Sequence, residues 1–443
     1  MTFSQRTNWN TEESDLARAH RNRIASGLPI ADLTASNPTR CGFAYPPSLL
    51  AALTSPRALV YDPEPNGLLP ARQAVSAYYA DHGVQIDPQQ IVLTTSTSEA
   101  YSFLFRLLCD PGDEILILQP GYPLFDFLAA LDDVRLKAVP LVYENGWQID
   151  PESIRRAITP RTRAIVVVHP NNPTGHFTKT SEAEQLARLC REFRLPLIVD
   201  EVFLDYSFSP NLADSNFPAQ PDNPAQPANP TAQPATFTAQ PQSFARGLEG
   251  VPVYVVSGLS KIAALPQMKA AWIAVIPAVI GPGPNNAPNE APYQARAQAP
   301  GQPPDQSLAR LEVIADTFLS MNAPVQWALP AWLAGRSAIQ QQIRGRVAAN
   351  LAVLDQAIGT VDAVQRLAVE GGWYAILRIP ALQPDDHTVL ALLERGVWVH
   401  PGYFFGLPES GWLVLSLLAP EAEFSNGVAI LIDYLGTNHG RNS

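Results

Sequence analysis

Four short stretches of this chain place reactive side chains at the ends of apolar runs. The first is Ser257–Trp272, SGLSKIAALPQMKAAW. Lys261 there is an amine among small and apolar residues. Burial lowers an amine's pKa, and a neutral amine attacks an aldehyde. The second stretch, LIVDEVFLDY (Leu197–Tyr206), brings Asp200 to the end of an apolar run. A carboxylate in such a place needs a partner. A cationic ring nitrogen is one such partner and becomes a better electron sink for it; capping of a following helix is the ordinary alternative. The third, HPNNPTG (His169–Gly175), is a stiff polar turn. Its Asn172 amide can bond a phenolic oxygen, or simply serve the turn. The fourth is TTSTSEA (Thr94–Ala100). Hydroxyls and free N–H groups at a helix start bind anions, although Ser96 or Thr97 with Glu99 also suits a plain helix cap. Tyr122 follows in Pro120-Gly121-Tyr122-Pro123, where it can stack on a flat ring or sit as a half-buried aromatic.

The elements that must position these groups are short, nearly continuous apolar runs. They are Glu114–Gln119, Ala164–His169, Leu197–Glu201, Val253–Ser257 and Ala271–Ile276. Such runs predict strands buried on both faces of a mainly parallel sheet. Helical patterns at Ser98–Cys109, Ser181–Phe193 and Leu308–Leu319 alternate with them. The alternation predicts an α/β fold. After about Leu308 come a long helical stretch, then Trp373–Ile379, Val397–His400 and Trp412–Leu418 with a final helix. That part reads as a smaller α+β domain, with the N-terminal arm to about Tyr45 packing on it. The expected division is 1–45 arm, 46–307 large domain and 308–443 interdomain helix with small domain. Two Pro-, Ala-, Gln- and Asn-rich segments, about 209–242 and 281–305, interrupt the pattern. They lack the apolar surface to offset ordering entropy and read as surface insertions.

Composition bounds the function. A chain of 443 residues suggests about two or three domains, and a hydrophobic content of 46% suffices for a large core. The net charge of -11 argues against nucleic acid or an anionic membrane as the main partner. Cys41, Cys109 and Cys190 have neither a disulfide framework nor zinc spacing, and read as free thiols. The polar, mixed-charge N-terminus is unlike a signal peptide, and no apolar stretch reaches the length of a spanning helix. A cytoplasmic protein is expected.

In order and spacing, the four motifs together resemble the class I/II aminotransferases, fold type I of the pyridoxal-phosphate enzymes. The likeness runs from Ser36-Asn37-Pro38, through Tyr61-Asp62-Pro63 and Gly67, to the C-terminal LVLSLL run. It implies a large domain with a mainly parallel seven-stranded sheet between helices, a smaller α+β domain and pyridoxal 5'-phosphate as cofactor. Lys261 is then expected to carry the Schiff base and to move the proton. Asp200 is expected to pair with the pyridine nitrogen, Asn172 to bond the phenolic oxygen and Tyr122 to stack on the ring. Ser96, Thr97 and Ser98 are expected to cradle the phosphate, with Ser257, Ser260 and Lys269 adding contacts. Tyr61 matches a tyrosine that reaches the neighbouring subunit's phosphate, which implies a homodimer. Ser36 and Asn37 are expected at the substrate. The partners implied are a small-molecule amino donor and a keto-acid acceptor.

Three positions depart from the family's pattern. Lys269 stands where an arginine is usual, and supplies charge without a bidentate fork. Phe203 stands where a tyrosine usually bonds the phenolic oxygen; losing that donor raises the pKa of the cofactor link. Val414 stands where an arginine clamps the substrate carboxylate. Losing a buried bidentate contact costs on the order of 2–5 kcal/mol. Arg378, Arg40 and the Ser36–Pro38 backbone are the candidates to compensate. The same scaffold supports a pyridoxal-phosphate lyase or decarboxylase, or a non-catalytic binding scaffold. A ligand-sensing regulator would carry a DNA-binding domain ahead of the fold, and Trp9–Gly27 is too short for one.

Overall fold

The computed structural model describes residues 2–123, 125–208, 242–278 and 306–439. The segment 281–305, and all of 209–242 but its last residue, lie outside the described residues.

The strands, in chain order, are β1 (Ala31–Asp32), β2 (Ile91–Thr94), β3 (Glu114–Gln119), β4 (Arg135–Tyr143), β5 (Trp147–Ile149), β6 (Thr162–Val168), β7 (Leu197–Asp200), β8 (Val253–Gly258), β9 (Ala271–Ile276), β10 (Gln365–Arg366), β11 (Tyr374–Arg378), β12 (Val397–Trp398), β13 (His400–Pro401) and β14 (Trp412–Ser416). The main sheet has the order β2-β9-β8-β7-β6-β3-β4-β5. Strands β4, β3, β6, β7 and β8 run parallel, and β9 runs against both β8 and β2. The fold is α/β, as expected, and the sheet holds eight strands where seven were anticipated. The short β5 folds back on β4 through Asn145-Gly146, both at positive φ.

The sheet is apolar on both faces. Every residue of β7, β8 and β9 is buried, which is why these runs show no alternation. One face packs Val92, Ile198, Val256 and Ile273 against the helices Thr97–Leu108 and Ser307–Phe318. The other packs Leu93, Val199, Val255 and Trp272 against helices that include Leu69–Asp81 and Thr180–Phe193. A second, smaller sheet has the antiparallel order β10-β11-β14-β13. β1 pairs with β12, so the N-terminal arm joins the C-terminal part. The helix Arg336–Ile358 buries Ile343, Val347 and Leu351 in the core shared by both parts.

This topology sets where chemistry can happen. β2, β3, β6, β7 and β8 all end at one edge of the sheet, and the antiparallel β9 begins there. Ligands of open α/β sheets bind outside the carboxyl ends of the strands. Ser96–Ser98, Tyr122, Asn172, Asp200, Lys261 and Lys269 follow or precede those ends, so one edge collects them.

Candidate active site

Lys261 lies in the four-residue helix Leu259–Ile262, immediately after β8. Gly258 joins strand and helix at a close approach: a Cβ there would meet the Ala271 Cβ at 2.8 Å and the Ala270 carbonyl oxygen at 2.9 Å. The backbone carrying the lysine is held from three directions. The Tyr206 hydroxyl donates to the Lys261 carbonyl at 2.8 Å. The Gln340 amide donates to the Ile262 carbonyl at 2.8 Å, and the Tyr45 hydroxyl to the Ala264 carbonyl at 2.8 Å. The Lys261 amine sits 4.8 Å from the centre of the Trp373 ring and 5.5 Å from that of Phe203. Burial lowers its pKa to about 8, against the opposing pull of Asp200 and Cys41. A neutral, nucleophilic fraction is therefore available near physiological pH.

Asp200 closes β7, the parallel neighbour of β8, in register with Val256. Burial pushes its carboxyl up to about 6. The Val202 N–H at 3.0 Å, the Tyr101 hydroxyl at 3.1 Å and Lys261 act the other way. Tyr101 comes from the helix Thr97–Leu108, so the helix that begins at the serine cluster also orients the aspartate. A cation placed at this carboxyl would restore its ionised form.

Asn172 and Ser257 are both buried, and the Asn172 amide oxygen and the Ser257 hydroxyl have no hydrogen-bond partner. Tyr122 is 42% exposed, and partial burial, with the Asp200 charge adding to it, raises the pKa of its phenol. Ser96 caps the helix by accepting from the Glu99 N–H at 3.1 Å, and Thr97 and Ser98 form its first turn, partly exposed. Ser260 is partly buried and Lys269 exposed at the start of β9. Ser36 lies against the Tyr374 hydroxyl, whereas Asn37 is exposed and spends its side-chain oxygen on Thr39. Tyr61 stands apart in this chain. It is 82% exposed and lines a cleft of about 390 Å³ with Met321, Asn322 and Gln326.

The three departures have distinct surroundings. Phe203 is buried edge-on to Trp373, with ring centres 5.2 Å apart, and forms a wall by the Lys261 amine. Val414 is fully buried in β14, opposite Ile376 and His400. Arg378 is exposed and lies over the Trp412 ring, and Arg40 is exposed beyond Asn37. Trp373, Tyr374, Tyr101, Tyr206 and Tyr45 were not singled out from the sequence for these places. The one local signal was Gly371-Gly372-Trp373 just ahead of a strand. A Cβ at Gly371 would meet the Tyr206 carbonyl oxygen at 2.4 Å, so only glycine brings Trp373 this close.

Tyr206 gives a direct test of how this backbone is held. Tyr206→Phe removes the shorter of two hydrogen bonds to the Lys261 carbonyl and leaves the one from the Ala264 N–H at 3.2 Å, at a cost of about 0.5–1.5 kcal/mol in unfolding free energy. Because the lysine itself shifts, cofactor-linked turnover is expected to fall by about tenfold, with a displaced pH profile. Lost stability with an unmoved pH profile would make Tyr206 a purely structural residue.

Residues 51–429 match the family described as aminotransferase class I and II. An aspartate/prephenate aminotransferase of Thermus thermophilus is 37% identical over 143 residues, 31% of this chain and 36% of that protein. The aligned segment thus spans about a third of that curated relative's length. An alanine aminotransferase of Mycobacterium bovis is 25% identical over 427 residues, 93% of this chain and 86% of that one. Among solved structures, an alanine aminotransferase from Pyrococcus furiosus has a TM-score of 0.78 at 22% identity, covering 98% of this chain and 99% of its own. That last likeness shows the fold. With the match spanning 51–429, the chain belongs to the class I and II aminotransferase family.

Proposed function

We propose that this protein is a pyridoxal 5'-phosphate-dependent aminotransferase that moves an amino group from a small-molecule amino donor to a keto-acid acceptor. The observation that carries the reading is the placing, at one sheet edge, of Lys261 just after β8 and of the buried Asp200 at the end of β7, its parallel neighbour, where burial lowers the lysine's pKa and raises the aspartate's. The surroundings fit the cofactor. The Asp200 carboxyl lacks a full counter-charge, and Asn172 and Ser257 have unused hydrogen-bonding capacity. When bound, the cofactor supplies an aldehyde carbon and an electron-accepting ring.

The chain's own residues would do the rest. Lys261 would hold the cofactor covalently and, once freed, carry the proton between donor and acceptor carbons. Asp200, oriented by Tyr101, would hold the ring nitrogen protonated. Asn172 would bond the phenolic oxygen and Tyr122 cover the ring. The N–H groups and hydroxyls of Ser96, Thr97 and Ser98 would take the phosphate, with Ser260 and Lys269 beside them. Trp373 and Phe203 stand as aromatic walls beside the amine. Exposed Leu59, Val60 and Tyr61, at 90%, 65% and 82%, suit a homodimer face from which Tyr61 reaches the partner's site.

The test is the visible absorption spectrum before and after mixing with a pool of amino donors. Conversion of the bound band to that of the amine form supports transfer. A band that persists while one substrate yields ammonia and a keto acid points to a lyase. The lack of any band after adding pyridoxal phosphate overturns the reading. A pH prediction follows from the lysine. Only its neutral form attacks, so covalent uptake of the cofactor by apoprotein should accelerate as pH rises and reach half its plateau rate near 8. Stopped-flow absorbance checks this; a rate independent of pH between 6 and 9, to within about twofold, contradicts a lysine of that pKa.

A further inference from the structure

Resting on that proposed function, we infer that His400 receives the substrate's carboxylate, in place of the arginine that Val414 displaces. In the antiparallel pairing of β13 with β14, His400 stands directly opposite Val414. Paired residues project from the same face of a sheet, with Cβ atoms about 4.5–5.5 Å apart. The same face carries Ser416 opposite Tyr374. Ser416 donates to the Ala35 carbonyl at 2.6 Å, and Tyr374 lies against Ser36. The face therefore looks onto the Ala35–Asn37 turn, and an imidazole one strand over from Val414 is aimed toward the same space.

The imidazole has hydrogen-bonding capacity to give. Its Nδ1 is buried and has no partner. Phe405 and Phe404 flank the ring at 5.6 and 6.0 Å. The nearby arginines are partly engaged, although the Arg346 Nε has no hydrogen-bond partner. Arg346 donates to the carbonyls of Cys41 and Leu418, each at 3.1 Å, and lies 3.6 Å from Glu421. Arg378 covers Trp412 at the exposed end of β11.

Burial pushes the His400 imidazole down to about 4, against an opposing pull from Asp32. The helix Asp385–Glu394 packed against β13 carries Asp385, Asp386, His387 and Glu394, Tyr403 follows β13, and Tyr374 and Arg378 lie on β11. Asp385 is tied to the N–H groups of Gly402, Gly411 and Trp412, and Tyr403 to Asp386. In the free protein the ring is neutral at pH 7 and offers a single N–H. A carboxylate arriving beside it favours the protonated form. Binding then takes up a proton, and affinity rises as pH falls.

Titration of the holoenzyme with propionate and succinate, which have no amino group to react, tests this by calorimetry. The wild type should bind at least one of them, about tenfold more tightly at pH 6 than at pH 8. His400→Phe should lose about tenfold at pH 6 and show no pH dependence. His400→Gln, which retains a neutral donor, should keep the pH 8 affinity and lose the gain at pH 6. Equal binding by His400→Phe and wild type overturns the inference, as does a wild type that binds neither probe or binds without pH dependence. If His400→Phe fails to fold, the wild-type slope and His400→Gln decide. Borohydride trapping of the cofactor on Lys261 in the same samples separates the two claims: an untrapped wild type sinks the proposed function, whereas a trapped one with pH-independent binding sinks only the role of His400.

Discussion

Lys261→Ala should abolish the borohydride-stable link to the cofactor and lower amino-group transfer by about a thousandfold or more. The expectation combines two losses. The covalent anchor disappears, and so does the general acid–base group, a contribution of about 10²–10⁴-fold by itself. The fold should survive. The Tyr206, Gln340 and Tyr45 bonds all go to backbone carbonyls, which alanine retains at position 261. Removing an amine held between Trp373 and Phe203 leaves a small apolar gap and relieves the cost of keeping a cation out of water. Mass spectrometry after borohydride treatment, with single-turnover kinetics, is the measurement. A variant that still traps the cofactor at a specific residue would place the anchor elsewhere.

Asp200→Asn should have the second-largest effect, a loss of about a hundredfold or more in the rate of transfer with the cofactor still bound. An amide of the same shape can accept from the Val202 N–H as the carboxylate does. It cannot balance a cationic ring nitrogen, so the ring loses its strength as an electron sink. Tyr101→Phe removes only the hydroxyl that orients the carboxylate at 3.1 Å, and should cost several-fold. The order Asp200→Asn far below Tyr101→Phe is the informative result. Near wild-type turnover by Asp200→Asn would remove the aspartate from the chemistry.

The sheet was legible because its strands are buried on both faces and therefore spelled as unbroken apolar runs, as in LIVD and AWIAVI. Residues that follow such runs fall at one edge when the strands are parallel, so Lys261, Asp200 and Asn172 could be grouped before any coordinates. β2, β4 and β5 were not among the runs read as strands: β2 and β5 are only four and three residues long, and β4 mixes exposed with buried positions, although Asn145-Gly146 marks the turn between β4 and β5. The walls and struts of the site were not legible. Trp373 meets Lys261 across 112 positions, the difference of their numbers, and Tyr45 reaches Ala264 across 219. No local pattern encodes such meetings; they exist only once both parts of the chain have packed. Tyr206 shows the same limit. Its place six residues after Asp200 gave it no role in the sequence, and its hydroxyl donates to the lysine's own carbonyl.

Those three struts arise from the N-terminal arm, the segment after β7 and the long helix Arg336–Ile358. A nascent chain that has built the central sheet, but not yet docked its arm or that helix, leaves the carbonyls of Ile262 and Ala264 without these donors. The amine would then lie on a loose loop, wetted and fully protonated. The lowered pKa of Lys261 is thus a property of the whole assembled chain and not of the central sheet alone.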